Sequence, residues 1–155
     1  MYSYNEVMTF VGEEDVKFIR LAFCDVHGRQ KNISIMPLEL KRAFTEGISF
    51  DASAIAGFGD VVKSDLFLHP DPSTLSVLPW RPSNGRVIRM FCDIKYPDGR
   101  RYEKDGRYIL KNAIETAKKA GISCYFGAEF EFYLFKLDDN GNPTGETFDK
   151  AGYMD

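Results

Sequence analysis

Two glutamates separated by one residue, Glu129 and Glu131, have the type and spacing that most directly suggest metal chemistry in this sequence. They lie in the aromatic, β-favouring segment 125–135, which predicts a strand. Because side chains alternate across a strand, both carboxylates would point to one side and an apolar face would occupy the other. A Mg2+ or Mn2+ ion would relieve the repulsion between them. An amphipathic strand whose acids merely face water has the same pattern, so this segment alone leaves both interpretations open.

Composition limits the function classes that need to be considered. The chain has 155 residues, of which 44% are hydrophobic and 14% aromatic, enough for one core or for one domain and part of another. Its 20 basic and 23 acidic residues leave a net charge of −3 and no basic stripe, so nucleic acid is not an expected partner. Residues 1–6 lack the features of a leader, and no apolar run has the length of a membrane span. We therefore expect a cytoplasmic protein that does not bind membranes.

Several residues with reactive or bulky side chains have plain structural interpretations. The three cysteines are widely spaced within apolar runs and are expected to be buried, reduced thiols. The two histidines, His27 and His69, lack a second ligand at metal spacing and are expected at the surface. Trp80, the only tryptophan, is expected to fill a core or an interface.

The first part of the chain alternates between strand and helix patterns. A turn at residues 25–29 predicts a β-hairpin, and Pro37 suits the first position of a helix. Residues 49–64 have no period of either kind and predict an extended functional loop. The predicted helices are 4–11 and 38–46, and the predicted strands are 16–24, 31–35, 65–68, 74–78 and 86–94, the last following an Asn84-Gly85 turn. Together they predict an α+β domain of the β-grasp type, ending near residue 102.

The second part begins with a helix whose signals agree. Asp105 can cap it, an apolar stripe recurs at helical spacing, and Gly121 can end it. The stripe, expected to be buried, consists of Ile109, Leu110, Ala113, Ile114 and Ala117. The strand 125–135 and a turn at 138–142 follow, and the sequence stops at Asp155. We expect the second domain to be incomplete.

The long loop and several short motifs together resemble one enzyme family. The loop opens with Phe-Asp-Ala-Ser-Ala-Ile at 50–55 and closes with Lys-Ser-Asp-Leu-Phe-Leu at 63–68, a pairing that resembles glutamine synthetases. The other motifs in the family's order are the Phe-Cys-Asp hairpin near Asp25, Pro79-Trp80, Phe-Cys-Asp-Ile at 91–94, Tyr-Pro-Asp-Gly at 96–99 and the strand 127–135. The resemblance implies a β-grasp domain at 1–102 and the truncated start of an α+β catalytic domain at 103–155.

The resemblance also implies roles for particular residues. Glu129 and Glu131 match two acids that hold Mg2+ or Mn2+, one near the ATP phosphates and one near the amino-acid substrate. Asp51 matches a loop aspartate that binds ammonium and helps to take its proton, and Ser53 and Asp65 would support that loop. The implied reaction transfers the γ-phosphoryl group of ATP to glutamate and lets ammonia attack the γ-glutamyl phosphate. Since the family's loop reaches into a neighbouring subunit, a ring-shaped homo-oligomer is implied.

Departures from the family pattern leave alternatives open for the role of Asp51 and for the function of the protein. The usual Asp-Gly-Ser-Ser loop is here Asp51-Ala52-Ser53-Ala54, without the glycine and the second hydroxyl. From the residues alone, an aspartate such as Asp51 is more often a loop-capping acid that forms an Asx turn. The whole protein could instead ligate another amine, such as a polyamine, to glutamate, or the chain could be a short, non-catalytic β-grasp interaction module. The remaining metal ligands and the nucleotide pocket would follow Asp155, so we expect this chain alone to be inactive.

Overall fold

The computed structural model describes residues 1–59, 64–80, 85–152 and 154. Contacts divide the chain into two units, Met1–Ser123 and Cys124–Asp155, and each is described by itself. Residues 60–63 of the predicted loop and Asn84 of the predicted turn lie outside the described residues. In the described part of the chain, no helix is long and apolar enough to cross a membrane.

A mixed sheet forms the centre of the first unit. Its strands are β1 (Val16–Cys24), β2 (Gln30–Ile35), β3 (Ile48–Asp51), β4 (Asp65–Pro70), β5 (Ser76–Val77) and β6 (Arg86–Lys95). Their order among the described residues is β2-β1-β6-β4-β3, with β5 paired to β6. The β1–β6 pair is parallel and the other pairs are antiparallel. The helices are α1 (Tyr4–Glu13), α2 (Leu40–Thr45) and α3 (Gly106–Lys119), so the predicted α+β fold is confirmed.

Alternation along the strands separates the core from the outer face of the sheet. The inward residues of β1 and β6, such as Ile19, Leu21, Ile88 and Met90, are fully buried. Val7 of α1 and both Leu40 and Ala43 of α2 belong to the same core cluster, so these two helices cover that face. Residues such as Arg20 and Arg89 have the opposite parity and lie on the outer face.

The predicted hairpin is confirmed, and its turn explains the strand register. Asp25 accepts hydrogen bonds from the backbone N–H groups of His27 and Arg29, each at 2.9 Å. Gly28 takes φ +76°, which glycine adopts without strain. These contacts fix the register in which Ile19 faces Ile35.

Three predicted boundaries in the first unit were wrong. The predicted loop begins too early, because Ile48–Asp51 pairs with β4 as a strand too short to show a clear period. The predicted helix 38–46 starts as a 3-10 turn, Pro37–Glu39, and only Leu40–Thr45 is α-helical, as is common at helix N-termini. Of the predicted strand 74–78, only Ser76–Val77 is a strand, and Thr74 is the last residue of the 3-10 turn Pro72–Thr74.

The helix α3 is confirmed, but the burial of its apolar stripe is not. Asp105 caps the helix, as predicted. Ile109, Leu110 and Ile114 are 55%, 56% and 42% exposed. Arg107 and Lys111, in the first two turns, tie α3 to Asp93 of β6, while these three apolar side chains stay largely exposed in the part of the unit that the structure describes.

The second unit contains a small hairpin, β7 (Phe135–Leu137) and β8 (Pro143–Thr147), closed by the predicted turn at 138–142. The prediction that residues 125–134 form a strand was wrong for this structure, which assigns them no strand. High β-propensity does not suffice, because a strand needs a hydrogen-bonded neighbour. Among the described residues, strand pairing begins only at Phe135, although the Leu134 carbonyl accepts from the Phe148 N–H at 2.7 Å.

The cysteine, histidine and tryptophan predictions have mixed outcomes. All three cysteines are free, but only Cys92 is buried, while Cys24 is half-buried and Cys124 is exposed. Burial was inferred from apolar neighbours in sequence, and around Cys124 those neighbours are themselves exposed. Trp80 is 64% exposed and does not fill the core. His27 is exposed, whereas His69 is half-buried, and this burial lowers its pKa.

Candidate functional site

The base of the long loop brings two predicted acids together. Asp51 ends β3 and lies directly opposite Asp65, which begins β4. Beyond this pair, the Ala52 N–H donates to the Ser64 carbonyl at 2.7 Å and closes the loop. The loop is therefore a hairpin connection whose first residues have a defined place on the sheet.

Asp51 is an exposed carboxylate held by its neighbour Ser53. The Ser53 hydroxyl and its backbone N–H both donate to Oδ1 of Asp51, at 2.6 and 2.9 Å. The hydroxyl bond, followed by the N–H bond and one from Ser64, lowers the pKa of Asp51. These contacts form the Asx turn that the residues alone allowed, and they also keep the carboxylate charged at neutral pH.

Alanine fits the position at which the family resemblance leads one to expect glycine. Ala52 is buried in the 3-10 turn Ala52–Ala54. Its φ is not positive, so glycine's conformational freedom is not needed there. The loss of that glycine therefore leaves the local position of Asp51 intact.

An aromatic anchor, which the sequence analysis did not identify, fixes the middle of the loop. Phe58 is 2% exposed, and its ring lies 5.2 Å from that of Tyr102. The Tyr102 hydroxyl donates to the Phe58 carbonyl, and Lys104 Nζ donates to the Gly57 carbonyl at 3.0 Å. Phe58 is the only aromatic residue between Asp51 and Ser64, and its presence in this Ala/Gly/Ser-rich stretch was the signal that could have revealed the anchor.

Gly57 allows the loop to pass close to the β1–β2 turn. Its φ is +81°, and a Cβ there would lie 2.5 Å from Cγ2 of Val26. Both the backbone conformation and the lack of space thus require glycine.

A polar cleft of about 770 Å³ adjoins Asp65. Its other lining residues are Ser64, Tyr96, Pro97, Asp98, Arg100 and Glu103. Arg100 pairs with Asp98 at 2.7 Å and lies over the Tyr96 ring, while the Tyr96 hydroxyl donates to Glu103 at 2.9 Å. The polar side chains of this cleft, beside the base of the loop, are therefore paired with one another.

In the second unit, Glu129 and Glu131 line one open cleft of about 880 Å³. Both are exposed, and the other acid along this cleft is Asp149. Among the described residues, no group of three or more His, Cys, Asp or Glu side chains is close enough to hold a metal. Two carboxylates still fit Mg2+, which is often bound through one or two acids together with water and substrate phosphates.

Two glutamine synthetase family models match the chain. The glutamine synthetase beta-Grasp domain matches residues 15–97, and the catalytic domain matches residues 103–154. A glutamine synthetase of Methanosarcina mazei is 49% identical over 150 residues, which are 97% of this chain and 34% of that protein. One from Clostridium saccharobutylicum is 42% identical over 154 residues, or 99% of this chain and 35% of that protein.

Solved structures agree with these matches. The cryoEM structure of Plasmodium falciparum glutamine synthetase is 27% identical, with a TM-score of 0.70, over 78% of this chain and 23% of that one. A GmaS/ADP complex is 25% identical, with a TM-score of 0.66, over 73% of this chain and 25% of that one. This chain spans about a third of the length of the curated relatives it matches. It belongs to the glutamine synthetase family, of which it represents the N-terminal portion.

Proposed function

We propose that this chain is the N-terminal part of an ATP-dependent glutamate–ammonia ligase, with a β-grasp domain at 1–102 and the start of a catalytic domain at 103–155. The observation that carries the proposal is Asp51, a charged and exposed carboxylate fixed at the base of an anchored loop. The family resemblance assigns the ammonium site to this position. A carboxylate there can stabilise the cation and then accept its proton.

Glu129 and Glu131 would hold Mg2+ or Mn2+. A bound divalent ion supplies charge neutralisation during transfer of the γ-phosphoryl group of ATP to glutamate. The part of this chain in that chemistry is to place two oxygen donors in one cleft. The other donors and the nucleotide pocket would come from sequence outside this chain, so the chain alone is inactive.

The ammonium loop and the metal glutamates belong to different units of the chain. Following the family resemblance, the Asp51 loop completes the active site of a neighbouring subunit, and the protein works as a ring-shaped homo-oligomer. The substrates are glutamate, ammonium and ATP. The three free cysteines suit a reducing compartment, and we place the reaction in the cytoplasm.

A chimera tests this proposal. It consists of this chain followed by the part of the Methanosarcina mazei relative that lies beyond the matched region. We expect the chimera to form glutamine from glutamate, ammonium and ATP in the presence of Mg2+, while the 155-residue chain alone has no turnover. The native relative is the positive control for assembly.

The same assay decides the amine substrate, which the Ala52 and Ala54 substitutions leave open. Ammonium is compared with methylamine and with a polyamine as acceptor. Preference for ammonium supports the ligase assigned here. Preference for a polyamine would show that the enzyme ligates a polyamine, and not ammonia, to glutamate. An assembled chimera without activity toward any amine would favour a non-catalytic interaction module.

A further inference from the structure

Four polar side chains form a row across the outer face of the first unit's sheet. Arg20 of β1 faces Arg89 of β6, and these two residues are flanked by Ser34 of β2 and Ser76 of β5. Residues directly opposite one another on neighbouring strands share a face. We call this set of four residues the arginine row.

The two guanidinium groups lack acidic partners. In the described part of the chain, no salt bridge involves Arg20 or Arg89. Arg89 donates from Nη2 to Ser76 Oγ at 3.2 Å and lies over the Phe91 ring. Its Nε is buried and has no hydrogen-bond partner. A buried, unsatisfied donor on a charged group is costly and requires an explanation.

The nearest acid along the same face of β6 is already occupied. Asp93 lies four residues after Arg89 and therefore has the same parity. It accepts hydrogen bonds from Arg107 at 3.0 Å and from Lys111 at 2.7 and 2.8 Å. Among the described residues, the arginine row therefore holds two cations without an acidic partner. Like charges placed opposite each other on neighbouring strands repel.

We propose that the arginine row binds a small organic oxyanion, through a carboxylate or phosphate group placed across the two guanidiniums. Guanidinium forks match the oxygens of these groups, and the flanking serine hydroxyls can donate as well. Phe18 precedes Arg20 by two residues on the same face and is 49% exposed, which offers an apolar contact for the carbon skeleton. This apolar contact favours an organic anion over an inorganic one.

Isothermal titration of the 155-residue chain tests the proposal with three probes at matched ionic strength. Succinate represents a dicarboxylate, glycerol 3-phosphate an organic phosphate, and inorganic phosphate an anion without a carbon skeleton. We expect saturable one-to-one binding of at least one organic probe, tighter than that of inorganic phosphate, and the tighter organic probe identifies the anionic group. Absence of binding, or a preference for inorganic phosphate, would overturn the proposal.

Substitutions test whether the organic probe binds at the arginine row. Arg20→Gln and Arg89→Gln should each weaken the organic probe about tenfold or more, the usual value of a charge-assisted hydrogen bond. Phe18→Ala should weaken only the organic probe. Arg42→Gln is the matched control and should leave binding unchanged, since Arg42 pairs with Glu39 and belongs to α2, which packs on the core face of the sheet. Equal losses in the Arg42 variant would indicate nonspecific charge attraction and contradict the site.

An NMR resonance of the unsubstituted chain tests the site without relying on variants, which could misfold. The Arg89 guanidinium resonances should shift on titration in the unsubstituted chain, because that group gains an anionic acceptor. Arg89→Lys keeps the charge without the fork and should bind with intermediate affinity. Arg89 guanidinium resonances that all stay unmoved during saturable binding would place the anion elsewhere. If none of the probes binds but the arginine variants change self-association, the acceptor is a carboxylate of another copy, and the small-molecule site is refuted.

Discussion

At the scale of single residues, the contacts that shape the local backbone also set the charge of Asp51. The Ser53 hydroxyl and N–H stabilise the ionised carboxylate, which lowers its pKa. A lower pKa favours holding a cation and disfavours taking its proton. Asp51 can therefore form the Asx turn and still bind a cation in the active site. Kinetic measurements on an Asp51 variant distinguish cation binding from proton transfer.

Asp51→Asn in the chimera should mainly raise the ammonium concentration needed for half-maximal rate. The substitution removes the charge that stabilises a cation while leaving the phosphoryl-transfer groups in place, so we expect an increase of about tenfold or more. Steady-state kinetics with ammonium and ATP varied separately measure it. Asp98→Asn, another exposed turn acid, is the control. An altered ATP requirement with unchanged ammonium kinetics would show that the assignment is wrong.

A second residue-scale prediction concerns Asp93 and pH. Burial disfavours its charge, but hydrogen bonds from Lys111 and Arg107 hold its pKa below the ordinary value of 3.8. A depressed carboxyl pKa stabilises the folded state above the unfolded value, and that stability is lost as pH falls through the folded pKa. Denaturant unfolding between pH 3 and 7 should therefore show an acid-side loss of stability that is smaller in Asp93→Asn. An identical pH dependence in the two proteins would contradict this role.

At the scale of elements, one buried acid joins α3 to the sheet. Asp105 is 3% exposed and accepts from the N–H of Arg107, at the start of the helix, and from that of Ile94, in β6, both at 3.0 Å. Burial raises the pKa of Asp105. The side chain therefore serves as a helix cap and as a link between two elements.

Asp105→Ala should destabilise the first unit by about 1–3 kcal/mol, because it removes a cap and leaves a buried N–H unsatisfied. Urea unfolding measures the loss, and hydrogen exchange should locate it in α3 and the end of β6. Asp98→Ala, at an exposed turn, should cost much less. Equal effects of the two substitutions would show that Asp105 does not link the elements.

Elements that depend on contacts between residues close in sequence were predicted correctly, whereas elements that depend on distant partners were missed. The hairpin turn at Asp25–Gly28 and the cap at Asp105 are encoded within a few residues, and both were confirmed. The strand β3 and the Phe58 anchor depend on partners distant in sequence, so neither was predicted. Segment 125–134 shows the converse error, since its residues favour a strand but are not paired with another strand in the part of the chain that the structure describes. Glu129 and Glu131 were proposed from residue type and spacing and Asp51 from the family resemblance, whereas the Ser53 contacts to Asp51 required the structure.

At the scale of the whole molecule, the second unit exposes an unusual amount of aromatic surface. Phe126, Phe130 and Phe132 are 91%, 86% and 75% exposed. Unpaired backbone and apolar side chains together favour association with another surface. This surface, rather than the first unit, is expected to determine how the isolated chain associates.

The 155-residue chain should accordingly form dimers or larger oligomers through residues after about Asp105. Size-exclusion chromatography with light scattering measures the mass, and Phe130→Ser combined with Phe132→Ser should shift it toward the monomer. Leu38→Ser, at a 74% exposed leucine of the first unit, is the control and should not change the mass. A protease-resistant monomer would contradict the expectation.

The central proposal is that one subunit's Asp51 completes the active site in which a neighbour's Glu129 and Glu131 would hold the metal. Chimeras with Asp51→Asn and with Glu129→Ala are each expected to be nearly inactive at low ammonium. If they are unfolded and reassembled together in equal amounts, about a quarter of the sites should combine an intact loop with intact glutamates from a neighbour. Glutamine synthesis should then recover to about that fraction of the unsubstituted chimera. Activity that stays at the level of the separate variants, despite mixed assembly verified by mass, would contradict the account.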